Sequence, residues 1–295
     1  MTGAIESQAD IERLRAALAS VPVLRDRPRH AWRITPLSGL TNRSYRVTSP
    51  DGSHDYMLRI PGAGTDRYVV RGNEIHNARV ASAAGLAPEI VHADERSGVM
   101  LARFLAGAKP LAAGDLAMPE MRRQIAGLLR RLHESVPEFR GTAEPFEVID
   151  RYLAQAADGR LSRLRMRAEA IRAELASLDV ALRPCHVDPV PANFLLLPER
   201  ELLLVDWEFS AMADPMWDIA TIVVEGDLDP AAGEALLDAY TGRPDSRRHR
   251  KLSLFSLLVH LVAVSWGRAA QVAGNRSDEL ERLVERHLRV LEAAL

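Results

Sequence analysis

Residues 185–197 read CHVDPVPANFLLL and set three polar side chains, His186, Asp188 and Asn193, in one short loop. Pro189 and Pro191 stand between Asp188 and Asn193. An apolar run follows, then the polar PER of 198–200, then a second apolar run, ELLLVD, that ends on Asp206. Two short strands joined by a turn would bring Asp206 back towards the loop before Asn193. The competing reading is an ordinary polar loop with His186 as a hydrogen-bonded core residue.

The residue types favour the first reading. Phosphoryl transfer needs a carboxylate to orient the hydroxyl of the acceptor, and hard oxygen ligands to hold Mg²⁺ against nucleotide phosphates. Asp188 suits the first role; Asn193 and Asp206 suit the second. With this chain's composition, a histidine, aspartate and asparagine at that spacing would arise by chance roughly 0.01 times per sequence, so the spacing is informative.

Composition narrows the class. The chain has 295 residues, is 47% hydrophobic and carries a formal charge of -2. It can bury a substantial core, as one large domain or two smaller ones. Near-zero charge argues against nucleic acid as the main partner. The reading finds no uncharged apolar run of membrane-spanning length and no basic-then-apolar leader, so it expects a cytoplasmic protein without a membrane span. The single cysteine, Cys185, excludes an intramolecular disulfide and reads as a buried small hydrophobe. Lysine occurs only at 109 and 251.

Periodicity then divides the chain. Residues 8–20 read as a helix, and HAWRITPL, RSYRVT and HDYMLRI as strands, the last two joined by a Ser-Pro-Asp-Gly turn. A helix is expected over 68–85, and two more strands in PEIVHADERSGVMLARFL. This is a five-stranded antiparallel sheet with one helix between the third and fourth strands. The small-residue stretch LAGAKPLAAGD marks a boundary, giving lobes of 1–106 and 107–295. Helices are expected at 118–135, 147–156, 160–178, 217–226, 230–240, 249–272 and 278–294, with short strands near 182–206. The fold class is α+β and two-lobed, with the ligand expected between the lobes.

The motifs GLTNRSYRV, LRIPG, EIHNARVA, CHVDPVPANFLL and VDWEFSAMADPMWDIA resemble, in the same order, segments of the choline/ethanolamine kinase family, within the aminoglycoside phosphotransferase and protein-kinase-like superfamily. The resemblance spans roughly residues 32–270 and implies a protein-kinase-like fold, with ATP and Mg²⁺ as cofactors. It implies Asp188 as the catalytic base and Asn193 and Asp206 as metal ligands; His186 shares the catalytic loop with Asp188 and reads as its structural brace rather than a proton carrier. The turn holding Gly39, Thr41 and Asn42 would cover the phosphates, where a glycine permits close backbone approach. Arg59 stands where protein kinases place a strand lysine, with Glu74 on the next helix as its partner; arginine keeps the charge and offers two donors. Arg103 opens the connection expected beside the adenine. Asp218, at the start of an apolar helix, resembles the aspartate that braces the catalytic loop, although a first-turn helix acid is the simpler reading of the residue alone.

The acceptor is read from the second lobe. A quaternary ammonium group suits aromatic faces with an acid nearby, and Trp207, Glu208, Trp217 and Trp266 are the candidates. Phe209 stands where the family commonly has tyrosine, and Pro189 where it commonly has leucine. The expected activity is ATP- and Mg²⁺-dependent phosphorylation of a hydroxyl on a small amino alcohol, choline or ethanolamine first. Aminoglycosides, thiamine or other small molecules are the alternative acceptors, and a catalytically silent ligand-binding relative is the alternative of another class.

Overall fold

A computed structural model describes residues 8–37, 42–62, 64–156, 158–178 and 181–294. Two compact units emerge: Met1–Lys109 with Leu197–Phe209, and Pro110–Leu196 with Ser210–Leu295. Residues 197–209, expected in the second lobe, belong to the first unit.

In the first unit, helix α1 (Gln8–Ser20) and the short α2 (Pro22–Arg25) precede strands β1 (Arg33–Leu37), β2 (Arg43–Thr48) and β3 (Asp55–Ile60). Helix α3 (Arg71–Ala83) separates these from β4 (Ile90–Ala93) and β5 (Met100–Arg103), and β6 (Lys109–Pro110) stands at the division. The five-stranded sheet has the order β1-β2-β3-β5-β4 and is antiparallel throughout. Alternation explains its core: Tyr45, Val47, Tyr56 and Leu58 point to one side and pack with Leu14, Leu24, Trp32 and Leu101. Arg59 breaks the pattern, being a charged strand residue that is also buried. The β2–β3 turn holds Gly52 at φ 71, the left-handed conformation that glycine adopts without steric cost. The expected helix over 68–85 is shorter, and a 3-10 turn at Thr65–Arg67 precedes it.

The second unit contains α4 (Pro119–Ser135), α5 (Pro145–Leu153), α6 (Gly159–Arg167) and α7 (Glu169–Leu175). Strands β7 (Arg183–Cys185) and β8 (Phe194–Leu196) follow; β9 (Leu202–Leu204) belongs to the first unit, and β10 (Ala211–Ala213) pairs with β7. Helices α8 (Met216–Glu225), α9 (Pro230–Thr241), α10 (Ser246–Val272) and α11 (Asp278–Ala294) complete it. The single helix expected over 160–178 is two, broken at Ala168, which is fully buried in the core. Helix α10 starts earlier than expected because Asp245 accepts the amides of Arg247 and Arg248 as an N-cap.

By length and composition α10 is apolar enough to cross a membrane, although no membrane span is expected from the sequence. Packing accounts for that apolarity. Its Leu254, Leu258, Leu261 and Val264 meet Phe146 and Ile149 of α5 and Val284, Leu288 and Leu291 of α11 in the core of this unit.

Candidate active site

In the first unit the polar residues converge on Arg59. Its guanidinium pairs with Glu74 of α3, and its Nη1 donates to Asp206 Oδ1 at 3.1 Å. Glu74 is fully buried and also accepts from Arg71 Nη1 at 2.9 Å; Arg71 in turn bonds Thr65. Two guanidiniums share the Glu74 carboxylate and Arg59 also meets Asp206, so two positive charges face two negative ones, the pairing that burial requires. Burial alone would lower the Arg59 pKa, but the charges of Glu74 and Asp206 outweigh it and hold the value above normal. Asp206 follows β9 with φ 67, a left-handed geometry that a short polar residue tolerates better than most. That turn directs its carboxylate to Arg59.

Glu208 lies two residues on and is buried. Its Oε2 accepts from Asn42 Nδ2 at 2.9 Å, and Asn42 Oδ1 accepts the Gly62 amide at 3.4 Å. Burial, reinforced by the Asp206 charge, pushes the Glu208 carboxyl well above the usual carboxylate range, against the pull of Asn42 and Arg59. Asn42, expected on phosphate, and Glu208, expected on the acceptor, are therefore each other's partners here. Gly39 and Thr41 lie outside the described residues. Trp207 is 4% exposed, with its indole donating to the Leu204 carbonyl, and Phe209 stacks on Tyr68. Arg103 is exposed, bonded to Glu89 and set over the ring of Tyr56.

In the second unit the loop after β7 is held from several sides. The Asp218 carboxylate accepts the His186 amide at 2.8 Å and the Val187 amide at 2.7 Å. Val187 sits at φ 70, which a β-branched residue adopts only under outside constraint. The Asp188 carbonyl accepts the Val190 amide and the Asn193 side chain, both at 2.9 Å. The first of these closes a three-residue turn centred on Pro189, whose fixed φ suits it. Pro191 begins the 3-10 turn that ends at Asn193. The two prolines shape this loop. Asp188 and Asn193 are half-buried, and His186 is fully buried.

Several neighbours had no strong signal in the sequence. His133 of α4 bonds Asp218 Oδ2 at 3.0 Å through Nε2 and the Tyr240 hydroxyl at 2.8 Å through Nδ1. Asp214 accepts the Met216 amide at the start of α8 and pairs with Lys251. Arg71 was legible only as an arginine three residues before Glu74, a spacing that lets helical side chains meet. His133, Cys185 and Asp218 are close enough to hold a cation, but the ligating atoms are already engaged. Asp218 takes the two loop amides and His133, and the Cys185 thiol donates to the Ala213 carbonyl. Burial, with the nearby Asp218 and Asp214 charges, pushes that thiol well up, so it stays protonated. Trp217 is 3% exposed within α8, and Trp266 is half-buried against Tyr152 and Ala269.

Comparison with known proteins shows what the chain is similar to. The model of the phosphotransferase enzyme family matches residues 33–252. Protein LicA of Haemophilus influenzae is 29% identical over 279 residues, covering 89% of this chain and 81% of the relative. A choline/ethanolamine kinase family protein from Mesorhizobium loti is 30% identical with a TM-score of 0.81, covering 96% and 94% of the two chains. Choline kinase LicA from Streptococcus pneumoniae shares the fold at a TM-score of 0.82 and 24% identity, covering 97% and 100%. The chain thus has the kinase-like fold of these structures, and it belongs to the phosphotransferase enzyme family, with relatives in the choline/ethanolamine kinase family.

Proposed function

We propose that this enzyme transfers a phosphoryl group from ATP, with Mg²⁺, to the hydroxyl of a small amino alcohol, choline or ethanolamine. The observation that carries the reading is the fixed loop of the second unit. Asp188 remains half-exposed while its backbone and those of its two predecessors are pinned by four hydrogen bonds. A carboxylate that orients an acceptor hydroxyl for in-line attack needs that constraint, because misplacement costs rate steeply. The family membership and the names of the relatives support the same chemistry.

The donor chemistry fits a hard cation. The Asp206 side chain is 36% exposed, and Asn193 commits its nitrogen to the Asp188 carbonyl, which leaves its side-chain oxygen as an acceptor. A carboxylate and an amide oxygen suit Mg²⁺. Asp206 of the first unit and Asn193 of the second are each of a type that ligates such an ion, which when bound would offset charge on the phosphates. Arg59 would contribute positive charge to the nucleotide side, held in place by Glu74.

A second reading of the acceptor has its own support. Trp207 and Trp217 are buried, so packing accounts for them and they offer little ring face to a quaternary ammonium group. This favours an acceptor drawn more widely from hydroxylated amines, thiamine and aminoglycosides included. The test is ADP formation over a panel of choline, ethanolamine, thiamine and aminoglycosides, with wild type and Asp188→Asn. Turnover on one amino alcohol that falls about 100-fold or more in Asp188→Asn is expected. Turnover indifferent to the substitution overturns the mechanism. ATP binding without turnover on any acceptor favours the silent relative.

A further inference from the structure

We infer that His133 and Tyr240 are positioning residues for Asp188, acting through Asp218; this rests on Asp188 being the acceptor-orienting carboxylate proposed above. Asp218 is bound through both of its carboxylate oxygens. Each of its oxygens receives one loop amide, Oδ2 from His186 and Oδ1 from Val187. The carboxylate must hold one rotation about its terminal torsion to keep both bonds. The terminal torsion of an aspartate is broad and soft, so something else has to fix it.

His133 supplies that restraint. Its Nε2 meets Oδ2 at 3.0 Å, and both side chains are buried away from competing water. The bond also sets the tautomer. Asp218 has only acceptors, so Nε2 carries the proton, and Nδ1 accepts from the Tyr240 hydroxyl at 2.8 Å. Tyr240 is anchored in turn, because Arg130 of α4 donates to the carbonyls of Tyr240 and Ala239 at the end of α9. An oriented chain of donors therefore runs from Tyr240 through His133 to Asp218, and on to the two amides that precede Asp188. Val187 is the point where it acts on conformation. A β-branched residue at φ 70 would relax towards negative φ if its amide were released, and the peptide leading into Asp188 would rotate with it.

Three variants of the full chain test this: Tyr240→Phe, His133→Leu and His133→Gln, the last able to return a donor near the Nε2 position. Hydrogen exchange at the His186 and Val187 amides is read beside the exchange of the α10 core and the unfolding midpoint. Steady-state kinetics use ATP and the best acceptor of the panel. Tyr240→Phe and His133→Leu should raise exchange at the two loop amides by about tenfold or more, with α10 unchanged. In both, kcat should fall on the order of tenfold with the KM for ATP unchanged, and His133→Gln should recover most of it. Unchanged protection at 186 and 187 overturns the inference. So does loss of protection spread evenly over α4, α8, α9 and α10, which marks a purely stabilising network. Should His133→Leu fail to fold, the near-isosteric Tyr240→Phe decides on the same criteria. Wild type that phosphorylates no acceptor would sink the function proposed above, whereas the exchange measurement would still decide the positioning.

Discussion

Asn193 donates its side-chain amide to the backbone carbonyl of Asp188 across 2.9 Å. One bond thereby ties a proposed metal ligand to the proposed acceptor-orienting residue, so the two move as a unit. Asn193→Asp keeps an oxygen for the cation but sets a carboxylate against that carbonyl. The expected result is a kcat lowered on the order of 100-fold that added Mg²⁺ does not restore. A titration of rate against Mg²⁺ decides it, and near-wild-type turnover would refute the coupling.

Glu74 holds two guanidiniums in a site with almost no solvent access. Removing it leaves Arg59 and Arg71 short of a counter-charge. Glu74→Ala should lower stability by about 3–5 kcal/mol, measured by urea unfolding. A loss below roughly 0.5 kcal/mol, the range of ordinary surface substitutions, would contradict the account.

The second unit contains a histidine pair, half-buried His260 and fully buried His287, with their Nδ1 atoms 2.7 Å apart. Arg286 and Glu225 adjoin His287. Burial, with the Arg286 charge, lowers His260 to about 4; burial, with His260 and Arg286, lowers His287 to about 3. In the unfolded chain both titrate near the ordinary value of about 6.5. The unfolded state therefore binds more protons below that pH. Stability should be full above about 6.5 and fall as the pH drops towards 4, by up to about 1.4 kcal/mol per pH unit for each histidine. Comparing wild type with His260→Phe between pH 7 and 4.5 isolates the effect. Identical slopes would exclude it.

Gly267 lies in the last third of α10, where a β-carbon would collide with Val284 of α11. Alanine normally strengthens a helix interior by up to about 1 kcal/mol, but overpacking costs about 1–3 kcal/mol. The second effect should win, and Gly267→Ala should lower the urea midpoint. An unchanged or raised midpoint would mean that the two helices separate without penalty.

The sheet was legible because β2 and the first half of β3 alternate and the turns carry Pro-Asp-Gly and Gly signals. The break at Ala168 was not, since no glycine or proline marks it and the apolar spacing runs straight through. Strand β10 is only three residues long, Ala211–Ala213, and takes its conformation from pairing with β7. The loop from His186 to Asn193 stood out because its residue types and spacing are improbable together. The partners of those residues were hidden for a different reason. Asn42 meets Glu208, and His133 meets Asp218, across 166 and 85 positions of sequence. Neither residue type is unusual where it stands, and only tertiary folding pairs them.

Arg59 stands on β3 in a chain whose lysines are confined to 109 and 251. A guanidinium remains protonated at any pH the fold survives, and it is a poor nucleophile. Amine-directed reagents, such as nucleotide acyl phosphates that label a strand lysine in other kinases, find no target at this position. A blank in such a labelling survey would reflect the side chain that replaced lysine, and it would carry no information about whether nucleotide binds.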